Sequence, residues 1–140
     1  MGEPQNKEKI SKFAVISDIN LPIKPNFLDN IIEDIDENDP RALILLGNFG
    51  DSSENALTNL REQVIKKLDG KIRIYLCAGN RDSYTKYPHQ KNAILDYIKH
   101  RHGDLRYEWG FYKKGKPILK FVCLNVLPDD ISLQFLKNIL

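Results

Sequence analysis

This sequence of 140 residues contains few cysteines, no long apolar run and little net charge. Cys77 and Cys123 are the only cysteines, too few for a disulfide framework, and each lies in an apolar segment that predicts a small buried side chain. No apolar run approaches the length of a membrane-spanning helix. The 21 basic residues are balanced by 19 acidic ones, for a net charge of +2. Neither a membrane nor nucleic acid is therefore an expected partner.

Residues 1–11 are polar with mixed charge, and we expect them to form a disordered tail. They lack the apolar stretch of a secretory signal and the acid-poor composition of a transit peptide. With few cysteines and no Asn-x-Ser/Thr acceptor, the sequence favours a reducing, cytoplasmic location. Its length and its 41% hydrophobic content are ordinary for one globular domain, which we place at residues 12–140.

Three apolar segments each end in a short polar motif. The central one, Ala42–Leu46, is apolar without alternation, as in a strand covered on both faces, and stops at Gly47. The three segments are spaced by roughly thirty residues, which suits βαβ units and predicts parallel strands joined by right-handed crossovers. The carboxyl ends of such strands meet at one edge of the sheet. The polar residues expected there are Asp18, Asn20, Asn48, Asp51, Asn80, Arg81 and Asp82.

The three motifs read Asp18-Ile19-Asn20, Gly47-Asn48-Phe49-Gly50-Asp51 and Gly79-Asn80-Arg81-Asp82. Their order and spacing resemble the calcineurin-like metallophosphoesterases, whose motifs are Asp-x-His, Gly-Asp-x-x-Asp and Gly-Asn-His-Asp/Glu, each after a strand. The resemblance covers the N-terminal half of the family pattern, since the later lone histidine and Gly-His-x-His motif have no counterpart in this sequence. It implies an α/β fold: a parallel β-α-β-α-β sheet with flanking helices and a C-terminal β-hairpin, half of a metallophosphoesterase-like sandwich. Active members use two divalent metals, such as Mn, Fe or Zn, to activate a shared water.

This sequence departs from the family pattern at three positions. Asn20 replaces the first histidine ligand, Asn48 replaces the metal-bridging aspartate, and Arg81 replaces the phosphate-contacting histidine. A neutral amide cannot supply the charged oxygen that bridges two cations. Asp18, Asn48 and Asn80 are therefore only weak candidates for metal ligands. We expect no bound metal cofactor and no catalytic residue.

Arg81 has a second expected consequence. A guanidinium group repels a divalent cation but pairs readily with carboxylates. We therefore expect Arg81 to bridge Asp18, Asp51 or Asp82 and so to replace the missing metal charge.

Apolar residues at helical spacing predict three helices between and after the strands. Asn26 is the expected N-cap of the first helix, and Ser52 or Ser53 that of the second, which Gly70 ends. The third helix should extend to about His102. The residues expected on the buried helix faces are Phe27, Leu28, Ile31, Ile32, Ile35, Leu57, Leu60, Val64, Leu68, Ala93, Ile94, Tyr97 and Ile98.

The C-terminal part is predicted to form a hairpin of strands 105–111 and 117–124, followed by a short helix over 132–140. Seven basic residues lie between Lys99 and Lys120, against only two acidic ones. We interpret them as a solvated hairpin tip, with a polyanion-binding patch as the alternative. His100 and His102 are not expected to bind a metal, because residues two apart do not share a helix face. Tyr84 and Tyr87, in the loop after the third motif, either cover the core or line a pocket.

Three functional interpretations remain open from the sequence. The first is a catalytically inactive metallophosphoesterase-like module that acts as a binding or structural subunit, with a protein partner or a second copy of itself. The second is a residual metal-dependent phosphoesterase or phosphate-ligand binder. The third is an unrelated α/β nucleotide-binding protein, which the glycine-free, two-proline loop 21–25 disfavours. We favour the first because of the substitutions at Asn20, Asn48 and Arg81.

Overall fold

The computed structural model describes residues 12–50, 54–79, 82, 92–124 and 130–139. The predictions for the tail 1–11, for Ser52 and Ser53, and for Tyr84 and Tyr87 lie outside these ranges.

Three short parallel strands form the sheet that positions the motifs. They are β1 (Ala14–Ile16), β2 (Ala42–Leu45) and β3 (Arg73–Leu76), in the spatial order β1-β2-β3. Every residue of β2 is buried, because this strand is central and covered on both faces. Leu46, which follows the strand, is 44% exposed. The predicted β-α-β-α-β parallel sheet is confirmed, and the continuous burial expected for its central strand ends one residue early.

The helices are α1 (Pro25–Asn38), α2 (Glu54–Asn59), α3 (Lys66–Leu68), α4 (Ala93–His102) and α5 (Asp130–Ile139), and a π-helical segment, Leu60–Ile65, joins α2 to α3. Apolar residues of α1, of the segment from α2 to α3, and of α4 form one core with the sheet. This core contacts the sheet face that carries Leu43, Leu45, Ile74 and Leu76. None of the helices in the described ranges is long and apolar enough to cross a membrane.

Two expectations for α1 are wrong. Its N-cap is Lys24, not Asn26, and Pro25 occupies the first helical turn. Proline suits that place because its fixed φ is helical. An N–H group in the first turn has no intrahelical partner, so proline loses no helical hydrogen bond there. Phe27 is 47% exposed, whereas Leu28 and Ile35 are buried as expected.

The second face of the sheet is covered in part by an antiparallel hairpin of β4 (Tyr107–Lys113) and β5 (Lys116–Cys123). The Trp109 ring stacks on Tyr75 of β3, with ring centroids 3.7 Å apart, and on Phe121 at 4.3 Å. Val15 shares this sheet face by register but remains 55% exposed. The predicted C-terminal hairpin is confirmed. It covers the β3 side of the sheet more fully than the β1 side.

Side chains from α4 and β4 bind the outer edge of β3. His102 Nε2 accepts a hydrogen bond from the Leu76 N–H at 3.1 Å, and Arg101 donates to the Ile74 carbonyl at 3.3 Å. The Tyr107 hydroxyl donates to the Leu76 carbonyl at 2.6 Å. These bonds satisfy backbone groups that an open strand edge would expose. The histidine and arginine at the end of α4 therefore have a structural role.

Burial, with the nearby Arg101 charge, lowers the pKa of His102 from 6.5 to about 4. The folded state therefore favours the neutral imidazole, which accepts the Leu76 hydrogen bond. A base whose pKa falls on folding contributes stability above its ordinary pKa and loses that contribution as the pH falls toward the folded value.

We therefore predict a loss of stability between about pH 6.5 and pH 4 that depends on His102. The midpoint of urea unfolding, followed by circular dichroism, should fall less steeply on acidification in His102→Gln than in the wild type, because glutamine does not titrate. His100→Gln is the matched control, since His100 is exposed on the same helix. Equal acid sensitivity in all three proteins would contradict the assignment.

Candidate functional site

The loops that follow β1 and β2 run side by side beyond the ends of the strands. The Asp18 N–H donates to the Gly47 carbonyl and the Asn20 N–H donates to the Asn48 carbonyl, both at 3.1 Å. This pairing brings Asp18, Asn20 and Asn48 together at the carboxyl edge of the sheet, where the sequence placed them.

These three residues share an unusual backbone conformation. The φ angles are 56° at Asp18, 50° at Asn20 and 56° at Asn48, all in the left-handed region. Aspartate and asparagine tolerate this region better than other non-glycine residues do. Backbone strain of this kind clusters at functional sites, where the surrounding structure holds it in place. The fold thus maintains the shape of this edge.

The side chains at the edge are hydrogen-bonded to one another. Asn48 Nδ2 donates to Asp18 Oδ1 at 2.5 Å, and Asn20 Nδ2 donates to the Asp18 main-chain oxygen at 3.0 Å. Asp18 and Asn20 are exposed, whereas Asn48 is half-buried behind them. The Asp18 carboxylate therefore faces an amide N–H group from the neighbouring loop.

Asp82 lies beneath this edge as a fully buried carboxylate. Its Oδ2 accepts from the N–H groups of Asn48 and Gly79, both at 2.7 Å, and its Oδ1 accepts from the Phe49 N–H at 3.0 Å. Burial raises the pKa of Asp82, and the three N–H donors oppose that rise. Asp82 thus joins the loop after β2 to the loop after β3.

Two glycines allow the loop after β2 and the loop after β3 to approach each other closely. A Cβ atom on Gly47, whose φ is 98°, would lie 2.1 Å from the Gly79 nitrogen. A Cβ atom on Gly79 would lie 2.5 Å from Asn48 Oδ1. Both contacts are far shorter than van der Waals distance, so only glycine fits at either position without moving the backbone.

The sequence predictions for the site have mixed outcomes. Asp18, Asn20, Asn48 and Asp82 converge, while Asp51, Asn80 and Arg81 lie outside the described residues, so a bridge from Arg81 stays a prediction. Sequence reasoning missed the anchoring role of Asp82 and the bond from the Phe49 backbone. The available signal was the spacing from Gly79 to Asp82, which lets a side chain accept a hydrogen bond from the N–H three residues earlier.

The described residues of the site do not fit a pair of divalent metals. A pair of cations needs a charged oxygen at the bridging position. Asn48 occupies that position and directs an amide N–H group toward Asp18. Both carboxylate oxygens of Asp82 accept bonds from backbone N–H groups. Within the described ranges, no three His, Cys, Asp or Glu side chains are grouped so that they could hold a metal ion.

A family model for calcineurin-like phosphoesterases matches residues 11–134, most of the chain. The chain belongs to the calcineurin-like phosphoesterase family. Its parallel sheet, helices and hairpin are consistent with a partial metallophosphoesterase fold. Family membership therefore excludes the third interpretation of the sequence, an unrelated α/β nucleotide-binding protein. No curated protein matches the sequence.

We predict that Asp82→Asn destabilises this calcineurin-like phosphoesterase by about 2–4 kcal/mol, because an amide N–H2 group would face backbone N–H donors in a buried place. Urea unfolding would measure the loss. Asp29→Asn, an exposed change of the same chemistry in α1, is the control and should fall within about 0.5 kcal/mol of the wild type. Equal stability of both variants would show that Asp82 does not anchor the loops.

Proposed function

We propose that this chain is a catalytically inactive calcineurin-like phosphoesterase that acts as a binding or structural subunit. The hydrogen bond from Asn48 Nδ2 to Asp18 Oδ1 is the observation that carries the proposal. The family resemblance implies a metal-bridging carboxylate at the position of Asn48. Here the same position supplies a neutral N–H donor to the Asp18 carboxylate.

The charge at this edge supports the proposal further. Asn20 and Asn48 are neutral, so Asp18 is the only anion among the three side chains. Two divalent cations at close distance repel strongly, and a bridging anion is what makes such a pair stable. A metal at Asp18 would also have to displace the Asn48 hydrogen bond. These costs favour a site that keeps its shape through hydrogen bonds.

We predict that the wild-type chain binds no stoichiometric Mn²⁺, Zn²⁺ or Fe²⁺. Titration calorimetry with Mn²⁺ and elemental analysis of the purified protein would measure this. Asn48→Asp is the matched variant and should bind Mn²⁺ at least about fivefold more tightly, since one added charge interaction near the surface contributes roughly 1–4 kcal/mol.

Two tightly held metals per wild-type chain would overturn the inactive assignment. The triple variant Asn20→His, Asn48→Asp and Arg81→His should still hydrolyse an aryl phosphate ester only weakly, because the later histidine motifs of the family have no counterpart in this sequence. Vigorous metal-dependent turnover by the triple variant would instead mean that another chain or other residues of this chain complete the site.

Exposed apolar side chains support a binding role. Tyr112 and Ile118, beside the lysines of the hairpin tip, are 61% and 64% exposed. A groove of about 580 Å³ lies between β1 and α1, and its lining combines Phe13, Val15 and Ile31 with the polar residues Lys12, Asp34 and Asn38. Contiguous exposed apolar surface marks sites of protein interaction, and the neighbouring Tyr112 and Ile118 are where the proposal places it. The partner is a protein or a second copy of this chain.

We predict that the chain forms a concentration-dependent oligomer or binds an apolar-surface dye when alone. Light scattering over a dilution series and dye fluorescence would measure both. The double variant Tyr112→Ser and Ile118→Ser should lower the response, and the exposed charge change Lys99→Gln is the control. A compact monomer that binds no dye would contradict an obligate partner.

A further inference from the structure

The outer half of the hairpin extends away from the core. All residues of β5 up to Lys120 are exposed, whereas the residues that follow in the strand are partly or fully buried. Ile118 and Leu119, which are 64% and 40% exposed, point to opposite faces because side chains alternate along a strand. Neither face of this segment is therefore fully covered by the described residues. We call residues 112–120 the arm.

The arm combines positive charge with exposed apolar side chains. It contains no acidic residue and four lysines, Lys113, Lys114, Lys116 and Lys120. Tyr112 and Ile118 are both more than half exposed beside these lysines. A two-stranded ribbon is only marginally stable in water by itself, so the arm would gain stability from a surface that covers it. A surface that fits the arm has an acidic rim and an apolar base.

Helix α1 supplies an acidic rim to the groove between β1 and α1. The charged residues of α1 are all acidic, and Asp34 among them lines the groove. Glu37 lies about one turn further along the same side of the helix, and both residues are exposed. The ion pair from Lys71 goes to Asp36, which does not line the groove. Lys12 is the only basic residue among the described residues of the lining, so the rim remains acidic.

Strand β1 and the residue before it supply the apolar base of the groove. Phe13 and Val15 line it together with Ile31 of α1, and Val15 is 55% exposed. The Phe13 ring also lies 4.9 Å from the ring of Phe111, the residue that precedes the arm, measured between ring centroids. The acidic groove and the basic arm are therefore neighbours on the surface of the chain.

Neighbouring surfaces of opposite charge suit a two-fold symmetric dimer. A rotation by 180° about an axis between the two surfaces places the arm of each copy opposite the groove of the other, so that every contact occurs twice. The arm does not fill the groove of its own chain, because its β5 residues are exposed. Both surfaces therefore remain accessible to a second copy in the described part of the chain.

We propose that two copies of this chain form a dimer in which the arm of each copy lies in the groove between β1 and α1 of the other. The arm lysines face Asp34 and Glu37 of the second copy, and Tyr112 and Ile118 cover the apolar base of the groove. Burial of apolar surface drives the association, and the complementary charges fix its orientation. This inference rests on the proposed binding role and names its partner.

Charge reversal on either surface tests the dimer. The arm variant is Lys114→Glu with Lys116→Glu, and the groove variant is Asp34→Lys with Glu37→Lys. Each variant alone places like charges opposite each other in both symmetric contacts. We expect sedimentation velocity over a dilution series to show a dimer dissociation constant at least about tenfold higher for each variant than for the wild type.

An equimolar mixture of the two variants provides a sharper test. In a mixed dimer the new glutamates of one arm face the new lysines of the other groove, and the second contact keeps its original charges. Both contacts are then complementary again, so the mixture should dimerise about as tightly as the wild type. Damage to the fold of either variant could not produce this rescue, and circular dichroism of each variant measures its folding directly.

The matched control is Asp29→Lys with Glu33→Lys, which changes the net charge of α1 equally at positions that do not line the groove. Its dissociation constant should stay within about twofold of the wild-type value in 0.15 M salt, because distant exposed charges are screened. Reversal variants that dimerise like the wild type, or a mixture that does not recover, would overturn the proposal.

A wild-type chain that remains monomeric up to about 1 mM, where even a weak specific dimer is populated, would also overturn it. If that monomer still binds the apolar-surface dye, the binding role stands and a basic segment of another protein is the better occupant of the groove. Failure of the inactive assignment is measured separately, by metal bound to the wild-type chain.

Discussion

The site depends on a buried carboxylate among three backbone N–H donors. Asp82 accepts from Asn48, Phe49 and Gly79, so one side chain fixes two loops that enter the site from different strands. A buried charge without such partners would destabilise the fold, and backbone donors without an acceptor would do the same. The carboxylate and the N–H groups therefore compensate for each other's burial. This interaction fixes the position of Asn48, and the hydrogen bond from Asn48 in turn positions Asp18.

This anchoring explains how the edge keeps its shape despite its neutral side chains. The family pattern places a carboxylate at the position of Asn48, where a pair of divalent metals would need a charged bridging oxygen. Here Asn48 donates to Asp18, and Asn20 donates to the Asp18 main chain. An amide in place of an anion at Asn48 removes one charge repulsion and adds one hydrogen bond, which supports the left-handed backbone at these residues.

The parts of the structure that could be predicted from the sequence are those set by local pattern. The apolar run of β2 predicted the parallel sheet, and the helical spacing of Leu60, Val64 and Leu68 predicted a buried helix face. The segments 105–111 and 117–124 predicted the hairpin. The N-cap of α1 was misplaced because Pro25 outweighs the preference of Asn26 for that position. The exposure of Phe27 depends on which neighbours cover α1, and the bonds of Asp82 depend on the packing of separate loops. Neither is visible in local pattern.

The two outer edges of the sheet differ, and that difference bears on the binding role. At β3, Arg101, His102 and Tyr107 bind the backbone groups of Ile74 and Leu76, so an incoming strand would have to displace three side chains. At β1, the half-exposed Val15 lies beside a groove lined by both apolar and polar residues, and no strand in the described ranges pairs with the outer side of β1. Extended partners add to edges that side chains leave accessible. For the proposed partner, the protected β3 edge is therefore the less suitable side of the sheet.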